Sequence, residues 1–115
     1  MEDPVQLIQD ISNITDNLFL WTHYYAPERT EIQKLYNFKE PILLHGKYFA
    51  YKWNYSDAEY HAGGEASYCM WLEKNVIIDV LSDFGFSNIT IISEDCEHER
   101  GSHVLLVARK HLIES

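Results

Sequence analysis

Between Trp71 and Lys110 the chain reads WLEKNVIIDVLSDFGFSNITIISEDCEHERGSHVLLVARK. This stretch limits what the remainder can build. Ile77, Val80, Leu81 and Phe84 recur at helical spacing and form one apolar stripe. Gly85 follows where a left-handed cap would close the helix, a conformation glycine adopts without steric cost. Ile89 to Ile92 and Val104 to Ala108 are apolar, β-branched runs of strand length, separated by the charged stretch Glu94 to Ser102. The order is helix, glycine stop, strand, polar turn, strand. One helix and two strands cannot enclose a core, so the preceding residues must complete the sheet.

At 115 residues the chain is expected to form one domain with one modest core. Its formal charge is -9, from 18 acidic against 9 basic residues. Such a field repels phosphate backbones and anionic lipid, so nucleic-acid or membrane-surface binding by charge is disfavoured. Cys69 and Cys96, far apart in sequence, allow a single structural disulfide, but two free thiols of a reducing compartment are the favoured reading. No signal sequence and no apolar run of membrane-spanning length is evident, which points to the cytoplasm.

Taken in order, Asp3 and Pro4 suit the cap and first position of a helix whose apolar face is Leu7, Ile8, Ile11 and Ile14. Leu18 to Tyr24 reads as a strand, and its near-continuous apolar start suggests burial on both faces, as in a parallel α/β sheet. Glu31 to Phe38 fits a short helix. The run ILLHGKYFAYKWNY after Pro41 fits a hairpin around Gly46-Lys47, with glycine first. Alternation there places Phe49, Tyr51 and Trp53 on one face and Tyr48, Ala50 and Lys52 on the other. Ala62 to Glu65 reads as a flexible turn leading into Ser67 to Trp71.

Several of these patterns coincide in order and spacing with one family. The chain resembles the C-terminal part of class I S-adenosylmethionine-dependent methyltransferases. Asp3-Pro4-Val5-Gln6-Leu7-Ile8 is similar to the "DP-x-x-L-L" helix that follows the fourth strand of that family. Leu18 to Tyr24 resembles its fifth strand. Trp71-Leu72, Ile77, Leu81, Gly85-Phe86 and Ile89 resemble its "WL…I…L…GF…I" helix-strand unit. His103 to Lys110 resembles the seventh strand, which inserts antiparallel between the fifth and sixth. The resemblance implies an α/β fold: a partial Rossmann-like sheet of strands 5, 7 and 6, with 7 antiparallel, two main helices and an inserted β-hairpin. It divides residues 1–115 into a helix and fifth-strand unit (1–25), an aromatic hairpin insertion (26–70) and a C-terminal unit (71–115). The insertion somewhat resembles the substrate-side insertion of tRNA-wobble-uridine carboxymethyltransferases and related methyltransferases.

One departure from the family bears on function. Its members hold the cofactor with a glycine-rich turn after the first strand, and no such G-x-G pattern follows a strand here. The first four strands are missing. The resemblance therefore implies a chain that binds no cofactor alone and is not catalytic in isolation, with S-adenosylmethionine implied for a full-length parent.

In open α/β sheets ligands lie beyond the carboxyl ends of the strands. That places His23, Tyr24 and Tyr25 as candidate substrate contacts, with His23 able to act as base or donor. Tyr60 and His61, from the insertion's aromatic group, join them because aromatic faces stack on bases and sugars. The competing reading for all five is packing. Cys96-Glu97-His98 has one intervening residue, too few for a structural zinc pair, and Glu94 to Glu99 lacks the glycine of a calcium loop. No nucleophile elbow is present. No catalytic residue is assigned.

Two function classes follow. One is the substrate-side segment of a methyltransferase; the other is a free-standing, non-enzymatic binding or oligomerisation module. In both, Leu18 to Tyr24 would lack a neighbour on one side, and an unpaired apolar edge invites another chain. A homodimer through that edge, or through hairpin exchange, is expected.

Overall fold

The structure is a computed structural model that describes residues 3–54, 68–98 and 101–110. Asp3 caps the first helix, α1 (Pro4–Ser12), its carboxylate accepting a 2.9 Å hydrogen bond from the Gln6 amide. The buried stripe is rotated from the expected one. Val5 and Ile8 are buried, whereas Leu7 is 39% exposed and Ile14 is 84% exposed. The cause is length: α1 closes at Ser12, and the backbone N–H of Asn13 caps it on Asp10 and Ile11, so Ile14 falls beyond the last turn.

Among the described residues eight further elements follow, the first seven being β1 (Asn17–His23), α2 (Thr30–Tyr36), β2 (Ile42–Leu44), β3 (Tyr48–Asn54), β4 (Tyr68–Trp71), α3 (Lys74–Asp83) and β5 (Asn88–Asp95). The last element is β6 (His103–Arg109). They form two three-stranded sheets, ordered β1-β6-β5 and β2-β3-β4. In the first, β6 lies between the other two and runs antiparallel to both, with Leu106 opposite Leu20 on one side and Ile91 on the other. A bulge between Ile91 and Ser93 leaves Ile92 without a partner on β6. The class is α/β, with three helices among the described residues.

β1 departs from the expected strand buried on both faces. Its pairing with β6 is antiparallel and its exposure alternates, leaving Phe19 70% and Trp21 56% exposed. Antiparallel sheets tolerate one uncovered face, which the continuous apolar run LFLW did not signal.

The second sheet begins with the expected hairpin, shifted by one residue. The Lys47 N–H donates to the Leu44 carbonyl at 3.0 Å, so the central turn residues are His45 and Gly46, with φ of 53° and 69°. Two consecutive positive φ values define the mirror-image turn that matches strand twist, which places glycine second rather than first. Trp71, expected to open a helix, ends β4 instead, and α3 starts at Lys74. Gly85 has φ 101°, and the Phe86 N–H reaches the Leu81 carbonyl at 2.9 Å, the closure expected of a left-handed cap.

Two apolar clusters result. The larger joins Val5 and Ile8 of α1, Val80 and Leu81 of α3, Phe86, and Val104, Leu106 and Ala108 of β6. Tyr48, Ala50 and Met70 reach the same cluster from the second sheet. The other face of that sheet contributes Trp53, Cys69 and Trp71 to a cluster with Ile32 and Tyr36 of α2. Alternation along β3 and β4 therefore serves a core on each side, which is why both aromatic sets of the hairpin are needed.

Candidate functional site

β1 and β4 converge at their carboxyl ends, where the Tyr25 N–H donates to the Leu72 carbonyl at 2.9 Å. The three consecutive candidates around this junction go to different places. His23 lines a cleft of about 210 Å³ between Leu20–His23 and Cys69–Leu72, floored by Pro4 and Ile77. Tyr24 and Tyr25 line a separate cavity of about 250 Å³, together with Glu28, Glu73, Lys74 and Glu94. Tyr60 and His61 lie outside the described residues.

His23 lies flat on Trp71, with ring centroids 4.9 Å apart and planes 8° from parallel. Its Nδ1 is 3.2 Å from the Gly101 carbonyl oxygen. A carbonyl can only accept, so Nδ1 carries the proton and Nε2 is the basic nitrogen. Burial lowers its pKa, and the neighbouring His103 and His98 lower it further. The ring is therefore neutral near pH 7.

Tyr24 is buried, and its hydroxyl donates a short hydrogen bond to Glu94 Oε2. Lys74 Nζ sits 3.1 and 3.0 Å from the two oxygens of the same carboxylate. Burial, and then Glu94, push the phenol well above its ordinary range. The bond from Tyr24, with Lys74 beside it, holds Glu94 below the usual carboxylate range. The directions agree: the proton stays on Tyr24 and Glu94 is an anion of low basicity. That trio can fix an acceptor geometry but makes a poor general base. Tyr25 stacks on Tyr51 with centroids 3.6 Å apart, and burial raises the pKa of both phenols, with Glu73 contributing.

Tyr24 and Tyr25 stand at the strand end as expected, whereas Glu73, Lys74 and Glu94 join them without a motif in the sequence. Glu94 was absorbed into a solvated turn, although it belongs to β5. Cys69 and Cys96 are both free thiols, the former buried and the latter exposed. Among the described residues, no three of His, Cys, Asp and Glu are placed to hold a metal ion. No described helix is long and apolar enough to cross a membrane.

The described glycines do not fit an S-adenosylmethionine cradle. Gly46 forms the hairpin turn, Gly85 closes α3 and Gly101 lies beneath Trp71, so none opens a helix after a strand.

The architecture defines an α/β protein with a three-stranded antiparallel unit backed by two helices. No protein-family model matches the chain, and no curated protein is significantly similar to it. Two solved structures are similar in fold: the N-terminal domain of EvdMO1 with SAH bound, and the same domain in the presence of SAH and D-fucose. Each superposes with a TM-score of 0.69 over 95% of this chain at 20% identity. The chain spans 41% and 42% of their respective lengths, so the likeness is one of fold to part of each.

Proposed function

We propose that this chain is the C-terminal, substrate-side segment of an S-adenosylmethionine-dependent methyltransferase and is not catalytic by itself. The observation that carries the reading is the first sheet. Strand β6, antiparallel between β1 and β5, with α1 and α3 contributing to the core it shares, supports the reading at the level of an α/β fold. The similar solved domain was crystallised with SAH, the product left when S-adenosylmethionine gives up its methyl group. In this reading the cofactor belongs to the complete protein, and this chain supplies acceptor contacts through Tyr24 and Tyr25 at the end of β1.

The coding sequence upstream of Met1 tests the reading. An in-frame segment encoding a strand, a glycine-rich turn and a helix supports it. An upstream sequence closed by a stop codon and carrying its own translation start contradicts it. The second reading, a non-enzymatic association module, is favoured by one observation: the large exposed side chains Phe19 and Trp21 on a single strand.

A further inference from the structure

We propose that the cleft between β1 and β4 binds a small neutral cyclic amide, held by the unpaired main chain of Trp21. The cleft measures about 210 Å³ and lies along the edge of β1 that β6 leaves free. The inference uses this cleft alone and stands apart from the methyltransferase reading.

The register decides which main-chain groups face the cleft. Along an antiparallel pair, residues that exchange both backbone hydrogen bonds alternate with residues whose N–H and C=O point the other way. The Tyr24 N–H donates to the Ser102 carbonyl at 2.9 Å, and the Lys110 N–H donates to the Asp16 carbonyl at 2.9 Å. Both bonds extend the register that pairs Leu20 with Leu106. Leu18, Leu20 and Thr22 therefore bond to β6, whereas Phe19, Trp21 and His23 turn their main chain outward. The same alternation shows at Tyr25, whose N–H reaches the Leu72 carbonyl just beyond β4. That bond closes one end of the edge. The Thr22 hydroxyl takes the His23 carbonyl at 3.0 Å. Trp21 keeps both its N–H and its C=O, and neither has a partner among the described residues.

Those two groups define the ligand. The N–H and C=O of one extended residue lie side by side, and a partner residue would exchange two bonds with them. A cis amide in a ring carries the complementary pair, a donor fixed beside an acceptor. Its N–H donates to the Trp21 carbonyl, and its oxygen accepts from the Trp21 N–H. The walls set the remaining limits. Met70, Trp71, Leu72 and Ile77 are buried and present apolar surface, as small-molecule sites generally do. None of the described lining residues is Asp, Glu, Lys or Arg, and His23 is neutral near pH 7. An ionised ligand would lose its hydration there without a counter-charge. A cavity of about 150 Å³ holds benzene, so 210 Å³ suits one ring or two fused rings. A strand laid along the same edge would meet Leu72, which already holds Tyr25.

Carbostyril, a bicyclic lactam, is the probe, and N-methylcarbostyril is the same ring without the N–H. Proton–nitrogen correlation NMR of the whole chain follows the main-chain amide of Trp21 as each is added. The expected result is saturable binding of carbostyril at about 100 to 1000 µM, with the Trp21 amide moved downfield. The methylated ring should bind about tenfold more weakly or less well still. Trp21→Pro removes the donor at an edge position whose N–H β6 does not use, a place where strands tolerate proline. It should weaken carbostyril about tenfold relative to Trp21→Tyr, which keeps the N–H. No saturation up to about 2 mM, equal affinity for the two rings, or an unmoved Trp21 amide would each overturn the proposal. Affinity that falls as the protein is concentrated, with the sedimenting mass doubling, would give the edge to a second copy and overturn it too.

Discussion

His23 rests on Trp71 in a parallel stack, and the carbonyl of Gly101 holds its Nδ1. This contact joins the end of β1 to the end of β4 and brings a titratable ring into a half-buried site beside His98 and His103. Asp95 faces His103, and Arg29 holds the loop through the His98 carbonyl at 2.7 Å.

The pH dependence follows from the lowered pKa of His23. The unfolded chain takes up this proton near pH 6.5, whereas the folded chain takes it up at lower pH. Its contribution to stability is therefore full above about pH 6.5 and is lost as pH falls through the folded pKa. His23→Phe keeps a stackable ring and removes the proton. Urea denaturation at a series of pH values between about 7 and about 5 should show a shallower decline for the variant. Parallel decline in both proteins would refute the assignment.

Gly101 sits beneath the same indole with φ 124°. A Cβ there would lie 2.6 Å from Trp71 Cη2 and 2.9 Å from Cζ3. Trp71 is a rigid ring buried to 7% exposure, so it has little room to yield. Gly101→Ala combines a forbidden backbone region with a clash and should cost about 2 to 4 kcal/mol. Thermal unfolding tests this, and an unchanged midpoint would show that the loop moves aside.

Tyr24 ties the end of β1 to Glu94 of β5, across the central strand. Tyr24→Phe preserves the buried ring and removes one hydrogen bond to a carboxylate that keeps Lys74. The expected loss is about 1 to 2 kcal/mol in chemical denaturation. The carboxyl of Glu94 should titrate at higher pH in the variant, measurable by carbon-detected NMR. A Glu94 titration that does not move would remove the phenol from the account.

Much of the fold was readable because its signals are local. Asp3 and Pro4 at a helix start, the stripe from Ile77 to Leu81 and the cap at Gly85 each depend on neighbours in sequence. What escaped was set by distant partners. LFLW looks the same whether one or both faces are covered, and only its antiparallel pairing with β6 leaves Phe19 and Trp21 bare. Trp71 belongs to the "WL…I" pattern of a helix-strand unit, although it pairs with Tyr51 as a strand residue. The polar trio of Tyr24, Lys74 and Glu94 spans 70 positions and has no motif to announce it.

In the proposed function S-adenosylmethionine is held by the complete protein and not by this chain alone. Isothermal calorimetry of the full chain with S-adenosylhomocysteine is the most direct measurement. Heats indistinguishable from dilution are expected, because no described glycine forms a cradle for the ligand. Saturable binding at one ligand per chain would contradict it and make this chain a cofactor-binding protein in its own right.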